Sequence, residues 1–147
     1  MKGENYMHLE FPGKSANAAF ARSAIGAFAA QMDPTLDELT EVKTAVSEAV
    51  SNVAIHAYPG QQQGDMWLEF ARIAPDTLMI KVTDKGVGIE NIARAMEPLY
   101  TTDTGETCSG MGFTVMESFM DKIRVDSHPG NGTTVTMIKK LDTYYGF

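Results

Sequence analysis

Two helical periodicities stand back to back between residues 15 and 58, with no strand pattern between them, and this narrows the folds open to the chain. In the second, Leu36, Leu39, Val42, Val46, Val50 and Val53 recur at three- and four-residue intervals, the spacing that puts apolar side chains on one helix face. Asp37 or Thr35 opens this helix, which runs to about Tyr58 and stops at Pro59-Gly60. The first helix starts at Ser15 or Asn17, either of which can cap it, and runs to about Gln31 through Phe20, Ile25, Ala27 and Phe28. Alternation predicts a strand from Met7 to Phe11 before the helices. After them come strands from Met66 to Ile73 and Thr77 to Thr83, joined at Ala74-Pro75-Asp76. A helix from Gly112 to Met120 precedes the last two strands, Lys122 to Ser127 and Thr133 to Lys139, which flank a turn containing Asn131-Gly132. Helices that cluster instead of alternating with strands predict an α+β, two-layer sandwich: a mainly antiparallel mixed sheet with helices on one face. The alternating βαβ order of a dinucleotide-binding sheet is missing.

Between Lys85 and Gly110 the chain is rich in glycine and threonine, with a short helical hint from Ile89 to Met96. A connection this long inside a compact domain is functional or disordered. The 147 residues predict one domain, 1–147, large enough for a core of its own. No apolar run approaches a membrane span, and the start at Met1-Lys2-Gly3 lacks the apolar stretch of a secretory signal. Twelve basic against nineteen acidic residues give a net charge of -7, which disfavours nucleic acid, whose binding depends on cationic contacts to phosphate. The single cysteine, Cys108, excludes an internal disulfide framework. Together these point to a cytoplasmic protein with no membrane and no direct nucleic-acid partner.

Four short segments carry the chemistry. Glu48 and Asn52 stand four apart on the second helix, so both project from one face, and His56 lies a further turn along. A carboxylate there can take a proton from a hydroxyl, and an amide oxygen is a hard ligand suited to magnesium. Asp84 ends an alternating strand and is followed by Gly86 and Gly88: a carboxylate able to accept from an exocyclic amine, beside glycines that let the backbone lie close to a flat ring. Ser109, Gly110 and Gly112 stand where the long connection becomes a helix, a place where free amides and the helix dipole favour phosphate. No Gly-Lys-Ser or Gly-Lys-Thr follows, so this is not a Walker-type loop. Gly132-Thr133-Thr134 closes the order. Alone, the Glu48 and Asn52 pair is more often a polar helix face and the Gly110 and Gly112 pair a plain turn, while the Asp84 segment is as often a simple turn as a ring pocket.

In this order they resemble the Bergerat ATP-binding (GHKL) superfamily of gyrase, Hsp90, MutL and the histidine kinases. Within it, Met7-His-Leu-Glu-Phe11, Phe20-Ala-Arg22, Asp37-Glu-Leu-Thr-Glu-Val-Lys43, Val46-Ser-Glu-Ala-Val50, His56-Ala-Tyr58 and Gly110-Met-Gly-Phe-Thr-Val-Met-Glu117 resemble the sporulation anti-sigma F factors. The resemblance covers roughly Met7 to Lys140. It implies a serine-protein kinase that binds a sigma factor and phosphorylates a small anti-anti-sigma protein of STAS type. The cofactors implied are ATP or ADP with Mg2+, and the assembly a homodimer packed through the N-terminal strand and first helix. By the same resemblance Glu48 is the general base, Asn52 the magnesium ligand and Asp84 the adenine acceptor in a pocket shaped by Gly86 and Gly88. Ser109, Gly110 and Gly112 line the phosphates under a lid at about 89–109. Thr133 supports the adenine site, and Arg22 contacts partners. One departure stands out: Thr102-Asp-Thr-Gly-Glu-Thr-Cys108 holds no basic residue, where relatives carry lysine and arginine in the lid.

The alternative reading is a nucleotide-gated sigma-binding module with little or no kinase activity; the altered lid argues for it and the intact Glu48 against it. A histidine kinase would need a phosphoacceptor helix pair, and a gyrase-like ATPase a transducer domain. Neither is expected in 147 residues.

Overall fold

The computed structural model describes residues 4–60, 64–96 and 112–142. Strand β1 (Asn5–Pro12) leads into helices α1 (Asn17–Ala30) and α2 (Leu36–Asn52), and α2 continues as a π-helical turn, Val53–Ala57. Strands β2 (Asp65–Ala74) and β3 (Thr77–Asp84) form a hairpin; after the short helix α3 (Ile92–Ala95) come α4 (Gly112–Phe119), β4 (Lys122–Ser127) and β5 (Thr133–Lys140). The five strands form one sheet in the order β1-β2-β3-β5-β4, and every pairing is antiparallel.

Alternation explains the sheet. Met66, Leu68 and Phe70 of β2, Leu78, Ile80 and Val82 of β3, and Val135 and Met137 of β5 are buried on one face. Ala21, Ile25 and Phe28 of α1, Val42, Val46, Ala49 and Val50 of α2, and Met116 of α4 join them in one apolar core. The Phe28 and Phe70 rings meet with centroids 5.7 Å apart. The two-layer α+β sandwich expected from the clustered helices is the one observed.

The start of α2 is fixed by a reciprocal cap. Thr35 Oγ1 accepts from the Glu38 N–H at 3.0 Å, and Glu38 Oε1 accepts from the Thr35 N–H at 2.9 Å. Two local expectations differ. Neither Ser15 nor Asn17 caps α1: its N-cap is Ala16, and Asn17 Nδ2 instead donates to the Pro12 carbonyl at 2.8 Å, tying the helix to the end of β1. Leu36 is 83% exposed despite its place in the apolar repeat, because it opens α2 before that helix reaches the core.

Candidate functional site

A cavity of about 880 Å3 opens between α2, the loop after β3, and α4, a volume in the range of small-molecule sites. Its lining includes Glu48, Asn52, Asp84, Gly88, Gly112 and Thr133, so side chains far apart in sequence converge here. Glu48 and Asn52 lie one turn apart on the half-buried side of α2, and His56 follows on the π-helical turn. Helix α4 begins against Asn52: a Cβ at Gly112 would stand 2.9 Å from Asn52 Nδ2 and 3.0 Å from Oδ1. A side chain at 112 would make the Asn52 amide shift, so the glycine lets the first turn of α4, with its backbone N–H groups, lie against that amide as it stands.

Asp84 ends β3 and is 6% exposed. Burial pushes its carboxyl above the usual carboxylate range, opposed by the backbone N–H groups of Gly86 and Thr133. The Gly86 N–H donates to Asp84 Oδ1 at 2.9 Å, closing a tight turn directly after the strand. That turn is held from two sides. The Val87 N–H donates to the Ala57 carbonyl at 2.8 Å, while the Gly130 N–H donates to the Val87 carbonyl at 2.7 Å. Gly88 has φ 77°, and a Cβ there would overlap the His128 carbonyl, so this position takes glycine on both counts.

The sequence-predicted residues Glu48, Asn52, Asp84, Gly88, Gly112 and Thr133 meet at one cavity, and Gly86 builds the turn beside it. Ser109, Gly110, Cys108 and most of the lid expected over 89–109 lie outside the described residues. Arg22 is half-buried on α1 and does not line the cavity.

Two further residues serve the site: Tyr58, which the sequence marks only as part of the His56-Ala-Tyr58 resemblance, and Ser127, for which it gives no signal. Tyr58 Oη donates to the Asp65 carbonyl at 2.7 Å and accepts from the Lys85 N–H at 2.8 Å, clamping the chain next to Asp84. Ser127 stands behind Thr133, with 2.7 Å between their hydroxyl oxygens. Among the described residues no group of three or more His, Cys, Asp or Glu is placed to hold a metal, and no helix is long and apolar enough to cross a membrane.

This site on an open antiparallel sheet matches known proteins at two levels. A family model for the histidine kinase-like ATPase domain matches residues 11–139. The RsbU and RsbW domains of Rv1364c from Mycobacterium tuberculosis superpose with a TM-score of 0.68 at 18% identity, covering 93% of this chain and 32% of that one. The mycobacterial sensor histidine kinase MprB gives a TM-score of 0.58 at 17% identity over 92% of this chain and 98% of that one. At such identities the structures speak for the fold alone. Fold and family match together make the chain a histidine kinase-like ATPase domain.

Its relatives narrow the family. The anti-sigma F factor of Clostridium beijerinckii is 55% identical over 139 residues, 95% of this chain and 96% of that protein. The anti-sigma F factor of Pasteuria penetrans is 53% identical over 137 residues, 93% of this chain and 91% of that protein. The chain belongs to the anti-sigma F factor family.

Proposed function

We propose that this protein binds and inhibits a sporulation sigma factor and uses Mg-ATP to phosphorylate a serine of its anti-anti-sigma antagonist. One observation carries the reading: Glu48, Asn52, Asp84, Gly112 and Thr133 line a single cavity of nucleotide size. The donor set fits the group. A buried carboxylate at one end suits the exocyclic amine of adenine, and a helix that begins on glycine suits phosphate oxygens. Asn52 offers an amide oxygen to magnesium, which needs few protein ligands because phosphates and water complete its shell.

Bound Mg-ATP supplies the phosphoryl group. Glu48 orients the partner's serine hydroxyl and takes its proton. Asn52 would hold the magnesium, and the N–H groups at the start of α4, with Ser109 and Gly110, would take the phosphate oxygens. Asp84, with Gly86, Gly88 and Thr133, sets the base. A lid at about 89–109 within a single domain couples nucleotide state to partner affinity, Arg22 contacts the partner proteins, and the active species is a cytoplasmic homodimer. Such coupling requires partners that bind the closed and open lids differently.

The test is transfer of radiolabelled phosphate from Mg-ATP to an anti-anti-sigma protein of the same organism, alongside binding of the sigma factor. Labelled phosphoserine with sigma binding is expected. Sigma binding and tight ATP binding without transfer would replace the kinase by a nucleotide-gated binding module, and the stretch from Thr102 to Cys108, which holds no basic residue, would be the place to look.

A further inference from the structure

Ser127, the last residue of β4, is 8% exposed, and its hydroxyl meets three groups. The Gly132 carbonyl lies 3.0 Å away, the Ile89 N–H 2.8 Å and Thr133 Oγ1 2.7 Å. A serine hydroxyl has one proton and two lone pairs. A carbonyl only accepts and an amide N–H only donates, so one arrangement satisfies all three contacts. The Ser127 proton goes to Gly132, one lone pair takes the Ile89 N–H, and the other takes the Thr133 proton. Thr133 lines the cavity while Ser127 does not, so any contact the Thr133 hydroxyl makes there is made through its oxygen lone pairs. Its register partner in β3 is Asp84, whose ionised carboxylate is also an acceptor and nothing else.

We infer that Ser127 is a specificity-determining positioning residue: by holding the Thr133 proton it fixes the base end of the cavity as a pair of acceptors. With both acceptors at the 6-substituent, such a pair takes the two N–H bonds of a 6-amino purine and opposes a 6-oxo group; an acceptor placed at N1 would act the other way, because N1 accepts in adenine and donates in the 6-oxo base. This rests on the nucleotide reading above. Ser127 touches no ligand itself and acts through Thr133.

The experiment measures Kd for ATP and for inosine triphosphate, which carries the same phosphates on a 6-oxo base, by calorimetry without any partner protein. In Ser127→Ala the Thr133 proton is released and can turn into the cavity. The preference for ATP should then narrow by about tenfold, the worth of one hydrogen bond. Ser127→Thr, which keeps the hydroxyl, should restore it. Thr133→Val should narrow the same preference, and adding Ser127→Ala to it should move the ratio no further. A merely structural role would weaken both nucleotides together and leave the ratio unchanged, which would overturn the inference. If Ser127→Ala does not fold, Thr133→Val decides, an unmoved ratio again overturning it. Wild-type protein that binds neither nucleotide would overturn the nucleotide reading as well, whereas tight ATP binding with an unmoved ratio would sink only the role of Ser127.

Discussion

The Ala57 carbonyl stands so close over Gly86 that a Cβ on Gly86 would overlap its oxygen and lie 2.6 Å from its carbon. The same carbonyl accepts the Val87 N–H, so the π-helical turn and the loop after Asp84 are locked backbone to backbone. A π turn adds a residue to the helical repeat and re-aims the chain beyond it, and here it carries Ala57 onto the loop. Gly86→Ala must therefore push backbone from backbone, with no flexible side chain to yield. The expected loss is about 1–3 kcal/mol of stability, with weaker ATP binding. Urea unfolding beside calorimetry checks it, and an unchanged midpoint would show that the loop can move away freely.

Tyr58 grips the same loop from its other end. Its hydroxyl satisfies one carbonyl and one N–H at once, linking Asp65 at the start of β2 to Lys85 after β3. Tyr58→Phe leaves the ring in place and removes both bonds. Destabilisation of about 1–2 kcal/mol is expected, with a smaller loss of ATP affinity than in Gly86→Ala. Thermal unfolding with and without ATP separates the two effects, and equal stability would mean that water replaces the hydroxyl at no cost.

Legibility in the sequence differs between elements for physical reasons. The strands are readable because the sheet is covered on one face, so burial and alternation coincide. The start of α2 is legible only as Thr35 or Asp37, and the reciprocal bonds between Thr35 and Glu38 decide for Thr35. The π turn is not, because Val50, Val53 and Ala57 keep an apolar spacing that an unbroken helix would also show. At the site, Glu48, Asn52, Asp84, Gly88, Gly112 and Thr133 are legible through their order along the chain. The roles of Tyr58 and Ser127 are not. Their hydroxyls bond backbone groups 27 and 38 residues away, and no local spacing encodes such a contact.

Burial gives Asp84 a testable pH signature. Desolvation raises its pKa above the usual 3.8, so the carboxylate proposed to accept from the base is lost on acidification earlier than an exposed one would be. Affinity for adenosine, which has no phosphates to titrate, should fall as the pH drops through this raised value. The sign for folding is the reverse: a raised acid costs stability above its folded pKa, and the cost disappears below its unfolded pKa. Asp84→Asn should flatten both profiles and weaken ATP and ADP alike by roughly 10- to 100-fold at neutral pH. Adenosine affinity that stays constant down to about pH 4 would remove Asp84 from the base site.

Glu48 gives the sharpest separation of binding from chemistry. It shares the cavity wall with Asn52, one helical turn away, and both are half-buried. Glu48→Gln preserves size and keeps an acceptor oxygen but removes a base able to hold a serine proton. Phosphoryl transfer should therefore fall by roughly 10²- to 10⁴-fold while ATP affinity is retained. Asn52→Ala should do the opposite, abolishing the contribution of magnesium to ATP binding. Comparing Kd with and without magnesium against single-turnover transfer for the two variants tests both roles at once. If Glu48→Gln lost affinity in step with activity, the carboxylate would be serving the nucleotide and not the serine, and another residue would have to take the proton.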